Sequence, residues 1–254
     1  MPYTSPMDKL AIQKLNKINK QFYKKVGVYF HTSREYSWKG WEELLPLFAS
    51  SLEKNKFLDV GCGNGRFGLF LQENLQGFNP QNYTGVDFDE FLLEKAKISL
   101  PKAEFLKKDI VKNITVKSPK SLFTQYRSKY DFIFLFGVLH HIPSFEKRQE
   151  LLVELKALLA PSGKIIFSTW EFTSAPNFPN NIISWEKFGI IPAELEPNDY
   201  LLTWNKGVEA VRYCHYISPK EAEELCQKAH LRILKSYQTG SRGDEYNRYF
   251  ITGV

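Results

Sequence analysis

Between Ala11 and Val26 the apolar residues Ala11, Leu15, Ile18, Phe22 and Val26 recur at three- and four-residue steps, while Lys9, Lys17, Lys20 and Lys24 fall on the opposite side. That period predicts an amphipathic helix with one docked face and one solvated face. An aromatic and polar stretch, Tyr29 to Trp38, separates it from a second predicted helix over Lys39–Leu52. From there short apolar runs alternate with helical segments. The runs predict strands at Lys56–Val60, Tyr83–Asp87, Glu104–Lys108, Tyr130–Gly137 and Gly163–Trp170, and the intervening helices lie around Phe67–Leu75, Glu90–Ser99 and Ser144–Leu159. Alternation of this length predicts an α/β fold, a mostly parallel sheet with helices on both faces.

The rhythm breaks from Glu171 to Tyr216, where Pro176, Pro179, Pro192 and Pro197 stand among aromatics. This stretch reads as an insertion over the carboxyl ends of the strands. Ser218-Pro219-Lys220-Glu221 has the residues of a helix start, with a capping serine, proline at the first helical position and glutamate at the third. A helix over Pro219–Ala229 follows, then strands at Leu231–Tyr237 and Tyr246–Thr252 joined by a glycine-rich turn, which predicts an antiparallel hairpin at one sheet edge. We expect one domain: a helical extension (1–52), a cofactor-binding core (53–170), a substrate-side insertion (171–216) and a terminal helix and hairpin (217–254).

Phe57-Leu58-Asp59-Val60-Gly61-Cys62-Gly63-Asn64-Gly65 is an apolar strand running into a glycine-rich turn that opens a helix. Such a turn lets a ligand approach the backbone at the carboxyl end of a central strand, where open α/β sheets bind nucleosides. Dinucleotide-binding folds share it, but no second glycine finger for a pyrophosphate follows here. Asp59 is placed to hold a cofactor amino group, Asp87 ends the second strand where it can accept from both ribose hydroxyls, and Asp109 ends the third where it can accept from an adenine amino group beside Ile110. As a set, residues 56–170 resemble the class I S-adenosylmethionine-dependent methyltransferases. The resemblance implies a Rossmann-like, seven-stranded sheet with an antiparallel edge strand, and S-adenosylmethionine as cofactor. It assigns cofactor contacts to Asp59, Gly61, Gly63, Asn64, Asp87, Phe88, Asp109, Ile110 and Phe136.

Phe136-Gly137-Val138-Leu139-His140-His141-Ile142 closes the fourth strand, and this class commonly carries a Leu-His-His-like sequence there. That makes His141 a catalytic candidate and His140 a substrate contact. The flanks are more selective. Phe22, Tyr29-Phe30-His31-Thr32-Ser33-Arg34, Trp38-Lys39-Gly40-Trp41, Asp199-Tyr200-Leu201-Leu202-Thr203-Trp204, Arg212-Tyr213-Cys214-His215-Tyr216 and Glu224-Leu225-Cys226 resemble segments of the tRNA wobble-uridine carboxymethyl methyltransferases, over residues 16 to 236. The chain departs from that pattern at Ser37 and Ser33, where the family has proline and threonine, and in the terminal hairpin. The resemblance implies methyl transfer to the carboxylate of 5-carboxymethyluridine in tRNA, with a small zinc-binding activator subunit as a further partner. An ionised carboxylate needs orientation more than a base. Arg34 and Arg212 are therefore the candidate catalytic cations, and Trp38, Trp204 and His215 the candidate substrate contacts. Two other readings stand beside this one: a small-molecule O- or N-methyltransferase with His141 as base, and a catalytically silent subunit that binds RNA or a partner.

Charge sharpens the choice. Residues 1–30 carry six lysines against Asp8, and residues 99–129 carry eight Lys/Arg against Glu104 and Asp109, so a net charge of +6 conceals two basic zones on a mildly acidic body. Such zones suit a polyanion. The longest apolar run, Phe132 to Leu139, is far too short to span a membrane, and the lysine-rich N-terminus has no secretory pattern, so a cytoplasmic protein is expected. Cys62, Cys214 and Cys226 are too scattered for a disulfide framework or zinc cluster, and no metal is expected.

Overall fold

The computed structural model describes residues 7–33, 36–48, 53–113, 130–240 and 244–254. Helix α1 (Lys9–Thr32) is capped by Asp8, whose carboxylate accepts from the Leu10 N–H at 2.7 Å. It runs six residues beyond the predicted end at Val26, because Phe30 continues the apolar stripe one turn further and packs on Trp204. The predicted second helix is instead a tight 3-10 segment (Lys39–Leu44) leading into a single turn, α2 (Leu45–Phe48), and the rest of that prediction lies outside the described residues.

The core strands are β1 (Phe57–Val60), β2 (Tyr83–Asp87), β3 (Glu104–Lys107), β4 (Tyr130–Leu135) and β5 (Leu159–Trp170). Helices α3 (Arg66–Asn74), α4 (Glu90–Ser99), the short α5 (Ile110–Asn113) and α6 (Phe145–Lys156) lie among them. Strand β4 stops two residues short of its predicted end as the chain approaches Gly137, whose φ of 73° turns it out of the sheet. Strand β5 starts earlier than predicted: Leu159 pairs with Tyr130, and a register shift then brings Lys164 opposite Phe132.

The glutamate-to-tyrosine insertion is not irregular. It folds as a second sheet, β6 (Ile182–Ile183), β7 (Asp199–Trp204) and β8 (Ala210–His215), antiparallel throughout, with short 3-10 turns before β6 and between β6 and β7. After it come α7 (Pro219–Lys228), β9 (Arg232–Gln238) and β10 (Asn247–Gly253). The main sheet has seven strands in the order β3-β2-β1-β4-β5-β10-β9, parallel except where β10 pairs antiparallel with β5 and with β9. This is the Rossmann-like methyltransferase arrangement expected from the sequence.

Alternation along β4 shows how the two faces fill. Ile133 and Leu135 point toward a core shared with α6 and α7, while Phe132 and Phe134 point to the other side, against Phe48, Phe67 and Phe70 of α2 and α3. Parallel strands buried on both faces need apolar residues at successive positions, as the Tyr130–Leu135 run supplies. Helix α1 lies on β8, with Leu15 and Ile18 packed on Leu201 and Tyr213. The carboxyl ends of β1, β2 and β4 are thereby roofed by α1 and the second sheet. Among the described residues no helix is long and apolar enough to cross a membrane.

Candidate active site

Two adjoining cavities open at the carboxyl ends of the parallel strands and share Tyr23, Phe30, Gly61, Gly63, Phe136, Gly137 and His141. The turn between β1 and α3 forms their common floor. Gly61, Gly63 and Gly65 all have positive φ. A β-carbon on Gly61 would run into Val138, whereas one on Gly63 meets nothing within 4 Å, so a side chain there would fill open cavity. That is the cradle a nucleoside cofactor requires.

The first cavity holds Trp38, Asp59, Asn64, Phe136, His140, His141 and Arg212, and the second holds Asp87, Phe88, Asp109, Ile110 and Phe136. Asp59 is buried and accepts from the Tyr83 hydroxyl; burial pushes its carboxyl up to about 7, with the Tyr83 bond pulling the other way. Asp87 accepts the Gly63 N–H on one oxygen and the Asp89 N–H on the other, both at 2.9 Å, and burial pushes it up to about 6 against those bonds. Asn64 meets His31 Nδ1 at 3.0 Å. Asp109 is drawn toward α1: Lys20 Nζ lies 2.5 Å from it and Asn16 donates at 3.3 Å. One of the four lysines read as a solvated face is therefore held by Asp109, which borders the second cavity.

His141 is held at both ring nitrogens. Its Nδ1 lies 2.9 Å from the Tyr213 carbonyl, which can only accept, so the proton sits on Nδ1 and Nε2 accepts from the Tyr23 hydroxyl at 3.0 Å. Burial, with the Arg212 charge adding to it, pushes its pKa down to about 3. It is neutral at physiological pH.

Arg212 comes from β8, and its guanidinium carbon lies 4.5 Å from the Trp170 ring centre and 5.6 Å from those of Phe22 and Trp204. Its Nε is buried without a hydrogen-bond partner, and among the described residues no carboxylate pairs with it. Arg212 thus presents a half-buried cation, caged by rings, to the first cavity.

Two expected substrate contacts stand elsewhere. Trp204 is buried edge-on against Phe22, with its indole N–H donated to the Lys206 carbonyl at 3.1 Å, and borders neither cavity. It backs Arg212 instead of facing a base. His215 is fully buried between Asp199 at 2.7 Å and Glu221 at 2.9 Å, beside Arg148, which also pairs with Glu196 at 2.7 Å. Burial and the Arg148 charge disfavour its protonation, but the two carboxylates prevail and raise its pKa. His215 therefore braces β8 against α6 and α7. Ser218 caps α7 as expected, its hydroxyl accepting the Glu221 N–H, yet the Glu221 carboxylate turns to Arg148 and His215, whose buried charges bind it more strongly than a cap would. Arg34 lies outside the described residues.

Sequence reasoning missed Tyr23, Arg66, Trp170 and Asn247, all of which border the first cavity. Tyr23 had a signal: it sits at the edge of the α1 stripe, next to Phe22.

The family described as a methyltransferase domain matches residues 30–236 of the chain. The tRNA U34 carboxymethyltransferase of Nautilia profundicola is 36% identical over 120 residues, 47% of this chain and 35% of that protein. The ubiquinone biosynthesis O-methyltransferase of Bordetella avium is 27% identical over 205 residues, 81% of this chain and 71% of its own length. Magnesium protoporphyrin IX methyltransferase from Synechocystis PCC 6803, solved with bound S-adenosylhomocysteine, superposes with a TM-score of 0.62 at 14% identity, covering 94% of this chain and 98% of its own. The glycine cradle, the acidic strand ends and a domain match over four-fifths of the sequence converge: the chain belongs to the methyltransferase-domain family, and it is a Rossmann-like enzyme whose methyl donor is S-adenosylmethionine.

Proposed function

We propose that this enzyme methylates a carboxylate acceptor, the 5-carboxymethyl group of a wobble uridine in tRNA, giving the methyl ester and S-adenosylhomocysteine. The observation that carries the reading is Arg212, a caged guanidinium that pairs with no carboxylate among the described residues, beside His141 and the glycine turn. Bound S-adenosylmethionine supplies an electrophilic methyl on a sulfonium. Asp87 would hold the ribose hydroxyls, and Asp109, with Ile110 beneath the ring, the adenine amino group. Arg212 fixes the acceptor carboxylate by paired N–H donors so that one oxygen faces the methyl, with Arg34 as the second proposed cation. No proton need be removed, because a carboxylate, whose ordinary pKa is about 4, is ionised at neutral pH.

The relative named as a tRNA U34 carboxymethyltransferase supports a tRNA acceptor, though it matches over only 35% of its length. The broader match to a ubiquinone biosynthesis O-methyltransferase favours a second reading, a small-molecule hydroxyl acceptor. Mass spectrometry of tRNA nucleosides from cells lacking the protein separates them. Accumulated 5-carboxymethyluridine is expected, and an unchanged profile rejects the tRNA assignment. The tRNA reading places the enzyme in the cytoplasm.

On this reading the exposed lysines of α1 meet tRNA phosphates. Of the four lysines opposite the docked stripe, Lys20 is committed to Asp109, which leaves Lys9, Lys17 and Lys24. Neutralising these three is expected to reduce the slope of log affinity against log salt by roughly two to three, since each phosphate contact contributes about 0.7–0.9. S-adenosylmethionine affinity should not change. Equal slopes for variant and parent would remove α1 from the RNA interface.

A further inference from the structure

We propose that Asn19 is a positioning residue for the acceptor side of the site: its amide joins the backbone of His141 to the backbone of Tyr213, and so fixes the His141 tautomer and the place of Arg212 on β8. The docked stripe of α1 is apolar at Ala11, Leu15, Ile18, Phe22 and Val26, yet Asn19 is buried among them at 4% exposure. A buried amide is costly unless its hydrogen bonds are made. Asn19 makes them to two different elements. Its Oδ1 accepts the Tyr213 N–H at 2.8 Å, and its Nδ2 donates to the His141 carbonyl at 3.3 Å. The two ends of the amide cannot be exchanged, because an N–H only donates and a carbonyl only accepts.

Strand β8 lies at an edge of the second sheet, so one side of its backbone pairs with no strand among the described residues. At Tyr213 that side is closed by side chains: Asn19 takes the N–H, and His141 Nδ1 donates to the carbonyl at 2.9 Å. Asn19, Tyr213 and His141 thus close a ring of three hydrogen bonds. Moving the imidazole proton to Nε2 would leave the Tyr213 carbonyl without its donor and open the ring. Tyr23 stands four residues along α1, on the same face, and its hydroxyl meets Nε2 at 3.0 Å. One turn of α1 therefore reaches His141 at its carbonyl and at its outer ring nitrogen. Arg212 adjoins Tyr213, and its Nε makes no hydrogen bond, so the rings and the strand backbone set its place. The arrangement serves a carboxylate acceptor through Arg212 and a hydroxyl acceptor through the Nε2 lone pair. The role of Asn19 rests on both residues belonging to the site, and not on the choice between acceptors.

The test is nitrogen-15 NMR of the His141 ring in the full chain at neutral pH, its signals identified by their loss in His141→Gln. Wild type is expected to show a single tautomer, protonated on Nδ1. Asn19→Leu keeps the stripe apolar, so α1 still docks, but it orphans the Tyr213 N–H. The single tautomer should give way to a mixture, and single-turnover methyl transfer to tRNA from cells lacking the protein should slow by about tenfold or more at saturating cofactor, because a small misplacement of a reacting group costs at least that much. Asn19→Asp keeps an oxygen for the Tyr213 N–H and sets a carboxylate where Nδ2 stood, 3.5 Å from Nδ1. It should retain the Nδ1 proton and raise the ring pKa from about 3 toward its ordinary 6.5. The other groups facing that ring are Arg212 and the Cys214 thiol of β8, the Tyr23 hydroxyl of α1 and His140 of its own turn. A role in folding alone predicts a lower melting temperature for Asn19→Leu with one Nδ1 tautomer and an unchanged rate, and that result overturns the proposal. So does an Asn19→Asp ring that still titrates at about 3, which decides the matter alone if Asn19→Leu does not fold. Absence of transfer to this tRNA by wild type would reject the tRNA reading and leave the tautomer and the titration to decide the role of Asn19.

Discussion

Replacing Asp87 with alanine is expected to weaken S-adenosylmethionine binding by about 10²- to 10⁴-fold, the loss of two hydrogen bonds to a charged acceptor at about 1.5–3 kcal/mol each. The carboxylate ends β2 at the mouth of the second cavity, and it also fastens the glycine turn through the Gly63 N–H. Alanine therefore removes both a ligand partner and a strut. Asp87→Asn removes the charge and keeps one amide oxygen to accept from one of the two backbone N–H groups that the carboxylate holds.

The same carboxylate should leave a mark on stability. Burial raises Asp87 from an ordinary 3.8 to about 6 in the folded chain. A carboxyl whose pKa is raised by folding releases its proton first in the unfolded state. Its contribution to stability is complete below the unfolded value and is lost as pH rises through the folded one, a swing of about 3 kcal/mol. Asp59, pushed up to about 7, acts with the same sign. The unfolding free energy of Asp87→Asn, measured in urea without ligand, should therefore gain on wild type by about that amount between pH 4 and pH 7. Undiminished cofactor affinity in Asp87→Ala, or a difference that does not vary with pH, would deny Asp87 this role.

The parallel core was legible because each strand is a short apolar run that must be buried on both faces, and because Gly61 to Gly65 punctuate the chain where β1 ends. The second sheet was not, since Pro197-Asn198 just before β7 and the glycine at 207 between β7 and β8 set its short strands among residues that read as loops. The cost of reading β8 as a motif and not as a strand falls on His215. On a strand, side chains alternate between faces. Arg212 and Cys214 share one face, while Tyr213 and His215 share the other, where both reach Asp199. A period of two would have separated the cavity residue from the buried one. The length of α1 was underestimated for a similar reason: Tyr29 and Phe30 read as the start of a substrate loop, but Phe30 is a further turn of the apolar stripe.

Arg212→Met is expected to slow single-turnover methyl transfer by about 10²-fold or more at saturating cofactor, in the range found when a preorganised donor to a reacting oxygen is removed. His141→Gln should cost less than about tenfold on a carboxylate acceptor, which has no proton to lose. The pH profile follows from the same geometry. His141 sits at about 3, well below its ordinary 6.5, so it is neutral across pH 5.5 to 8.5 and no histidine inflection is expected in that range. Folding lowers this pKa, so the stability tied to it is complete above about 6.5 and drains as pH falls toward 3. Arg212 is one cause of the depression, and its removal should therefore raise the His141 pKa, which a ring-proton titration reads without turnover. A hydroxyl or ammonium acceptor would reverse the kinetic ranking, because a base must then take a proton, and Nε2 of His141, which accepts from Tyr23, is the group placed to do so. Loss of activity in His141→Gln with little change in Arg212→Met would overturn the carboxylate assignment and move the enzyme to small-molecule hydroxyl chemistry.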